Sequence, residues 1–162
     1  MVLWQLIIVK ELKCVNKPSN EQLLILVEEA KLAREKAYVP YSNFQVGSAL
    51  LAQDGSIHHG CNVENGAYGP TNCAERTALF RAIADGYQPG TFVAMAVTGD
   101  TKQPISPCGV CRQVMVELCA PTMPVILSNL KGATAITTVS ELLPGAFSLF
   151  HDAINDNECK KE

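Results

Sequence analysis

Two short cysteine motifs, Cys73-Ala74-Glu75 and Pro107-Cys108-Gly109-Val110-Cys111, constrain this chain more than any other feature of its sequence. Together they supply three thiolates, and one carboxylate that a metal would not need as a ligand. A structural zinc site closes its tetrahedron with four protein ligands, whereas a catalytic site keeps one position for water. Three sulfurs and a nearby Glu therefore predict a hydrolytic zinc centre. They also require a fold that brings two distant segments together. A redox Cys-x-x-Cys is the rival reading, but it explains neither Cys73 nor Glu75 and would follow the first strand of a βαβ unit. A zinc-stabilised binding module would need a fourth protein ligand. None of the three histidines, His58, His59 and His151, stands at ligand spacing to the cysteines.

The surrounding pattern is that of an α/β domain. Ser19-Asn20-Glu21-Gln22 reads as a capping box, and Leu23, Leu26, Val27, Ala30 and Ala33 follow at helical spacing to a stop before Pro40. Residues 44–52 and 56–63 flank Gln53-Asp54-Gly55, a hairpin signal, with His58 and His59 expected as exposed polar residues after the turn. A second helix is expected over residues 72–85, stopped by Gly86. The run at 92–97 is apolar at every position, as in a strand covered on both faces. A third helix is expected from Ser106, with Pro107 in its first turn, to about Cys119. Residues 125–127 and 135–139 read as short strands, and 141–143 as a turn of helix. This order predicts a three-layer α/β/α sandwich around a mixed five-stranded sheet. Residues 1–18 read as an N-terminal extension and 19–162 as a single catalytic domain. The apolar opening at 1–9 is too short to span a bilayer and lacks a basic flank or small-residue cleavage site, so it reads as an added strand or an unstructured extension.

On this map Cys73 falls in the first turn of the second helix, with Asn72 or Thr71 as N-cap. Cys108 and Cys111 fall in the first turn of the third helix, on one face. Helix N-termini present free N–H groups and positive partial charge, which favour thiolate, the form that binds metal. Glu75, two positions after Cys73, leaves the helix in another direction and is placed to move protons. Three thiolates and Zn²⁺ sum to −1, so a donor to sulfur is expected; Arg76 is the candidate, with Gln113 a second. Cys14, Cys61, Cys119 and Cys159 have no such partners and read as structural or free. The odd count of seven cysteines and the absence of a secretory signal point to a reducing, cytoplasmic setting. A net charge of −3 with no basic stripe argues against a polynucleotide substrate and for a small molecule.

These residues resemble the small homotetrameric cytidine deaminases that use a three-cysteine zinc site. The likeness runs from about Gln22 to Phe147. It rests on the segments at 41–50 (beginning Tyr41-Ser42-Asn43-Phe44), 60–65 (Gly60-Cys61-Asn62-Val63-Glu64-Asn65), 72–78, 106–113 and 141–144. The resemblance implies a cytidine deaminase-like fold and one zinc per subunit on Cys73, Cys108 and Cys111. It implies that Glu75 shuttles protons while water activated at the zinc attacks C4 of cytidine or 2′-deoxycytidine, releasing ammonia, in pyrimidine salvage. It gives Asn62 and Glu64 the ribose 3′-hydroxyl, Phe44 the face of the pyrimidine, the backbone of Ala74 the base edge and the Ser106 carbonyl the departing amine. Tyr68 and Phe147 would complete a neighbouring subunit's site. The chain departs from the family pattern at Gly66, at Gly69-Pro70-Thr71 and after Phe147, where Ser148-Leu149-Phe150-His151 replaces an acidic ending. A deaminase of another cytosine compound, such as blasticidin S, fits less well, because Asn62-x-Glu64 and Glu75-Arg76 favour a simple nucleoside.

Overall fold

The computed structural model of the protein describes residues 17–148. The apolar opening, Cys14, Phe150, His151 and Cys159 lie outside the described residues. Helix α1 (Asn20–Arg34) opens on the expected capping box: the Gln22 amide donates to the Ser19 hydroxyl at 3.2 Å, and the Ser19 amide donates to the Gln22 side chain at 2.9 Å. Its Leu26, Val27, Ala30 and Ala33 are buried at the spacing the sequence predicts.

The hairpin is β1 (Val46–Ala52) and β2 (Ile57–Cys61), with Leu50 opposite His58. Both strands are shorter than the sequence predicts. Asn62 takes over where the ladder stops: its Oδ1 accepts from the Val46 amide at 2.8 Å and its Nδ2 donates to the Phe44 carbonyl at 2.8 Å. His58 and His59 lie in the second strand of the hairpin, as expected, but neither is exposed. Side-chain alternation sends them to opposite faces. His58 is buried with its Nδ1 3.3 Å from Asp85, and His59 Nε2 lies 2.6 Å from the Glu29 carboxylate of α1.

Helix α2 (Ala74–Ala84), strand β3 (Phe92–Gly99), helix α3 (Gly109–Leu118), strands β4 (Pro124–Asn129) and β5 (Thr134–Thr138) and the short helix α4 (Val139–Leu142) complete the fold. The sheet order is β2-β1-β3-β4-β5. β3 and β4 run parallel, joined by α3, and the other pairs are antiparallel, so the sheet is mixed as expected. Every residue of β3 is buried. Alternation along the strands makes two cores. Leu50, Met95 and Val125 face Leu79, Met115 and Leu142 on the α2, α3 and α4 side, whereas Ala49, Leu51, Ala94, Ala96 and Ile126 face Leu26, Val27 and Ala30 of α1. The result is the three-layer α/β/α sandwich.

Two glycines set how closely helices lie on the hairpin. A Cβ at Gly47 would overlap the Ala30 carbonyl and Arg34 backbone of α1, and one at Gly60 would overlap the Ala74 carbonyl and the Ala78 amide of α2. Helix α2 stops where expected. Gly86, at φ 99°, lets its own amide bond Ile83 O at 3.0 Å and the Tyr87 amide bond Ala82 O at 3.1 Å, a Schellman closure.

The starts of α2 and α3 differ from the sequence expectation. Cys73 and Cys108 are themselves the N-cap residues, with extended backbones (φ −80°, ψ 157° and φ −68°, ψ 165°), and Pro107 precedes the cap instead of opening the helix. Neither side chain makes a capping hydrogen bond, so each sulfur stays free for another partner. Only Cys111 lies within a first turn.

Candidate metal centre and active site

The three cysteines meet. Cys73 Sγ lies 3.8 Å from Cys108 Sγ, Cys108 Sγ lies 3.6 Å from Cys111 Sγ, and all three sulfurs fall within 4.8 Å of one another. A disulfide would need about 2.05 Å. Tetrahedral zinc, with Zn–S of about 2.3 Å, sets sulfurs about 3.8 Å apart. The donor set and its spacing therefore fit zinc. It is the one such cluster of His, Cys, Asp and Glu among the described residues. Cys111 is buried, Cys73 half-buried and Cys108 exposed.

The local electrostatics favour charge on this cluster. A hydrogen bond from the Cys111 thiol pulls the Cys73 thiol from 9.0 down to about 5; burial opposes it, and Arg76 and then Cys108 add to it. Cys111 is pushed up, first because its proton is held in that bond to Cys73 and then by burial. Charge at Cys73 is thereby favoured, and a cation bound there would displace the remaining protons. Arg76, in the first turn of α2, donates from Nη2 to Cys73 Sγ at 3.4 Å and to the Thr71 carbonyl at 3.2 Å. Gln113 does not share this contact. Its Nε2 donates to the Phe147 carbonyl at 2.8 Å, so the amide ties α3 to the C-terminal segment instead of to sulfur.

Glu75 is 4% exposed at the second position of α2. Burial above all, with charge at Cys73 adding to it, raises this carboxyl above its ordinary 4.5. Ala74, fully buried, opens the same helix.

The other sequence-selected residues lie outside the helices and strands: Phe44 before β1, Asn62, Glu64 and Tyr68 between β2 and α2, and Phe147 after α4. Glu64 Oε2 accepts from the Tyr41 amide at 3.0 Å and the Ser42 amide at 3.2 Å, and Ser42 Oγ accepts from the Phe44 amide at 3.0 Å. Asn62 and Glu64 thus hold the segment that carries Phe44, which is 39% exposed. Both lie beyond the end of β2, not on its face. Tyr68 stands 80% exposed on a left-handed backbone (φ 58°), and Phe147 is 72% exposed. Cys61 donates to the Lys36 carbonyl, and Cys119 packs in the core beside Met115. No sequence signal singled out Ser42 or Arg112, whose bonds only the fold reveals. A cavity of about 630 Å³ lies elsewhere, lined by Leu23, Phe92, Met123 and Ile136, and holds none of the cysteines.

Residues 20–127 match the family described as the cytidine and deoxycytidylate deaminase zinc-binding region. The chain belongs to this family. Membership makes it a hydrolytic deaminase with a zinc-binding region, in keeping with the three-sulfur cluster. Among its relatives, the cytidine deaminase of Sporosarcina psychrophila is 63% identical over 123 residues, 76% of this chain and 89% of that one. The cytidine deaminase of Halalkalibacterium halodurans is 60% identical over 124 residues, covering 76% of this chain and 92% of its own. The crystal structure of cytidine deaminase from Burkholderia pseudomallei superposes with a TM-score of 0.76 at 58% identity, over 80% of this chain and all of that one. No helix among the described residues is long and apolar enough to cross a membrane.

Proposed function

We propose that the chain hydrolyses the exocyclic amine of free cytidine and 2′-deoxycytidine, giving the uracil nucleoside and ammonia, as a cytoplasmic step of pyrimidine salvage. The observation that carries this reading is the trio of sulfurs at zinc spacing beside the buried carboxyl of Glu75. Zinc held by Cys73, Cys108 and Cys111, one ion per subunit, supplies a Lewis acid that makes water a competent nucleophile near neutral pH.

The residues of the chain do the rest. Glu75 accepts the proton of the attacking water and returns protons to the ring nitrogen and the departing amine. Its raised pKa suits this double role, because a group titrating nearer the working pH both accepts and donates readily. Arg76 holds Cys73 and offsets the excess charge of three thiolates. The backbone of Ala74 at the helix start meets the base edge, the Ser106 carbonyl receives the leaving amine, and Phe44 packs on the pyrimidine. Asn62 and Glu64 support the Phe44 segment and offer their remaining lone pairs to the ribose 3′-hydroxyl. The exposed Tyr68 and Phe147 reach a neighbouring subunit's site in a homotetramer. The net charge of −3 and the names of the relatives favour a nucleoside over a polynucleotide.

The test follows the fall in ultraviolet absorbance of cytidine, deoxycytidine and deoxycytidylate with zinc-loaded protein, against Glu75→Ala. Turnover of the two nucleosides, abolished by the substitution, supports the reading. No turnover of either nucleoside, or turnover of deoxycytidylate alone, sinks it. Light scattering on the eluted protein checks the tetramer separately.

A further inference from the structure

Cys108 presents a problem of support. It is exposed, it caps α3 without a side-chain hydrogen bond, and the chain leading to it, 100–107, has no regular secondary structure. Yet its sulfur stands at 3.8 and 3.6 Å from its two neighbours. Packing does not account for that position, and Arg112 does. Its amide donates to the Cys108 carbonyl at 3.0 Å. Its guanidinium then makes three bonds: Nε to the Pro107 carbonyl at 2.8 Å, Nη2 to Ser106 Oγ at 2.9 Å and Nη1 to the Leu142 carbonyl at 2.9 Å. Leu142 ends α4 and belongs to the core on that face. The loop before Cys108 is thereby fastened to the packed interior through one side chain. The placement runs against the helix dipole, since Arg112 is the fourth residue of α3 and a cation is disfavoured in a first turn. Three directed acceptors, all on one planar fork, explain why a guanidinium sits there.

We propose that Arg112 is a positioning residue for the zinc centre, fixing residues 106–108 against the end of α4 so that Cys108 holds the metal. The inference rests on the reading of the three cysteines as zinc ligands, and it deepens that reading. None of the three guanidinium bonds goes to a sulfur. Arg112 acts through the backbone that aims Cys108. A lysine in its place has one point of charge and does not reproduce the three bonds.

The experiment measures how fast zinc passes from the full-length, zinc-loaded protein to an excess of the chromogenic chelator 4-(2-pyridylazo)resorcinol. Arg112→Lys and Arg112→Ala are compared with wild type. Ser106→Ala, which removes a single acceptor, is the milder variant should the others fail to fold. Tyr87→Phe, which loses the 2.7 Å bond to Asp54 away from the cysteines, controls for general loosening. Zinc should leave both Arg112 variants about 10 to 100 times faster than wild type, Ser106→Ala a few times faster, and Tyr87→Phe at the wild-type rate. Release within about twofold of wild type from both Arg112 variants overturns the proposal. So does equal acceleration in Tyr87→Phe, or full rescue by lysine. Release is read without substrate, so absent cytidine turnover with these rates intact would sink the proposed function alone. A wild type that holds no zinc would sink the ligand reading and this one with it.

Discussion

Gly60→Ala tests whether the close seating of α2 on β2 fixes the active site. The added Cβ would lie 2.9 Å from the Ala78 Cβ and overlap the Ala74 carbonyl and Ala78 amide outright. Ordinary contact begins at 3.4 Å. The mildest clash thus needs about 0.5 Å of retreat, and the backbone clashes need roughly 1 Å or more, because packed carbon contacts sit at 3.5–4.0 Å. Neither partner is a flexible side chain, so the helix itself must move. Helix α2 carries Cys73 at its cap and Glu75 in its first turn. Zinc tolerates departures of only about 0.2 Å in ligand distance, so a shift of this size detaches or strains Cys73. A displacement of about 1 Å at a catalytic group costs on the order of 100-fold in rate, and overpacking costs about 1–3 kcal/mol in stability. The assay pairs zinc content after gel filtration with cytidine turnover and a thermal melt. Gly60→Ala should lose most of its zinc and about 99% of its kcat, with a lowered Tm. Full zinc with kcat within about twofold of wild type would refute the argument that this contact registers the site.

Other substitutions separate the roles assigned above. Glu75→Gln keeps the shape and removes proton transfer, so kcat should fall about 10² to 10⁴-fold while zinc content holds; zinc loss in step with activity would recast Glu75 as structural. Arg76→Ala removes the 3.4 Å contact to Cys73 Sγ and should weaken zinc retention and activity together, about 10 to 100-fold. Unchanged metal content and turnover would end the charge-offset argument. Glu64 gives a pH signature. The Ser42 hydroxyl first, then the Tyr41 and Ser42 amides, hold its carboxyl below the ordinary 4.5. A depressed folded pKa contributes stability that is present above the unfolded value and lost as pH falls through the folded one. The Tm gap between wild type and Glu64→Gln should therefore be full above about pH 4.5 and close below it. A gap that stays constant down to pH 3 would contradict the bonding at Glu64.

The elements were legible because their signals are local. Ser19 and Gln22 cap α1 through bonds spanning three residues, the apolar run at β3 marks burial on both faces, and Gly86 ends α2 at a positive φ. Helix starts were less legible. Cys73 and Cys108 sit at the cap and not in the first turn, since a cap is defined by backbone angles that composition does not report. The burial of His58 is hidden from the sequence for the same kind of reason. Whether His58 is exposed depends on α2 covering its face of β2, a contact between distant segments.

The two cysteine motifs, by themselves, determined the donor set: three soft donors, one spare carboxylate and a guanidinium beside them are properties of residue type and short spacing. Tertiary structure decided the rest. It set the sulfurs 3.6 and 3.8 Å apart, it buried Glu75 so that its carboxyl rises, and it turned Gln113 toward Phe147 instead of toward sulfur. It also gave Arg112 three acceptors, one of them thirty residues away at Leu142. Ligand identity is written in the chain because it depends on atoms within a residue. Ligand geometry is not, because it depends on which helix start faces which, and only the packing of α2 and α3 on one sheet supplies that.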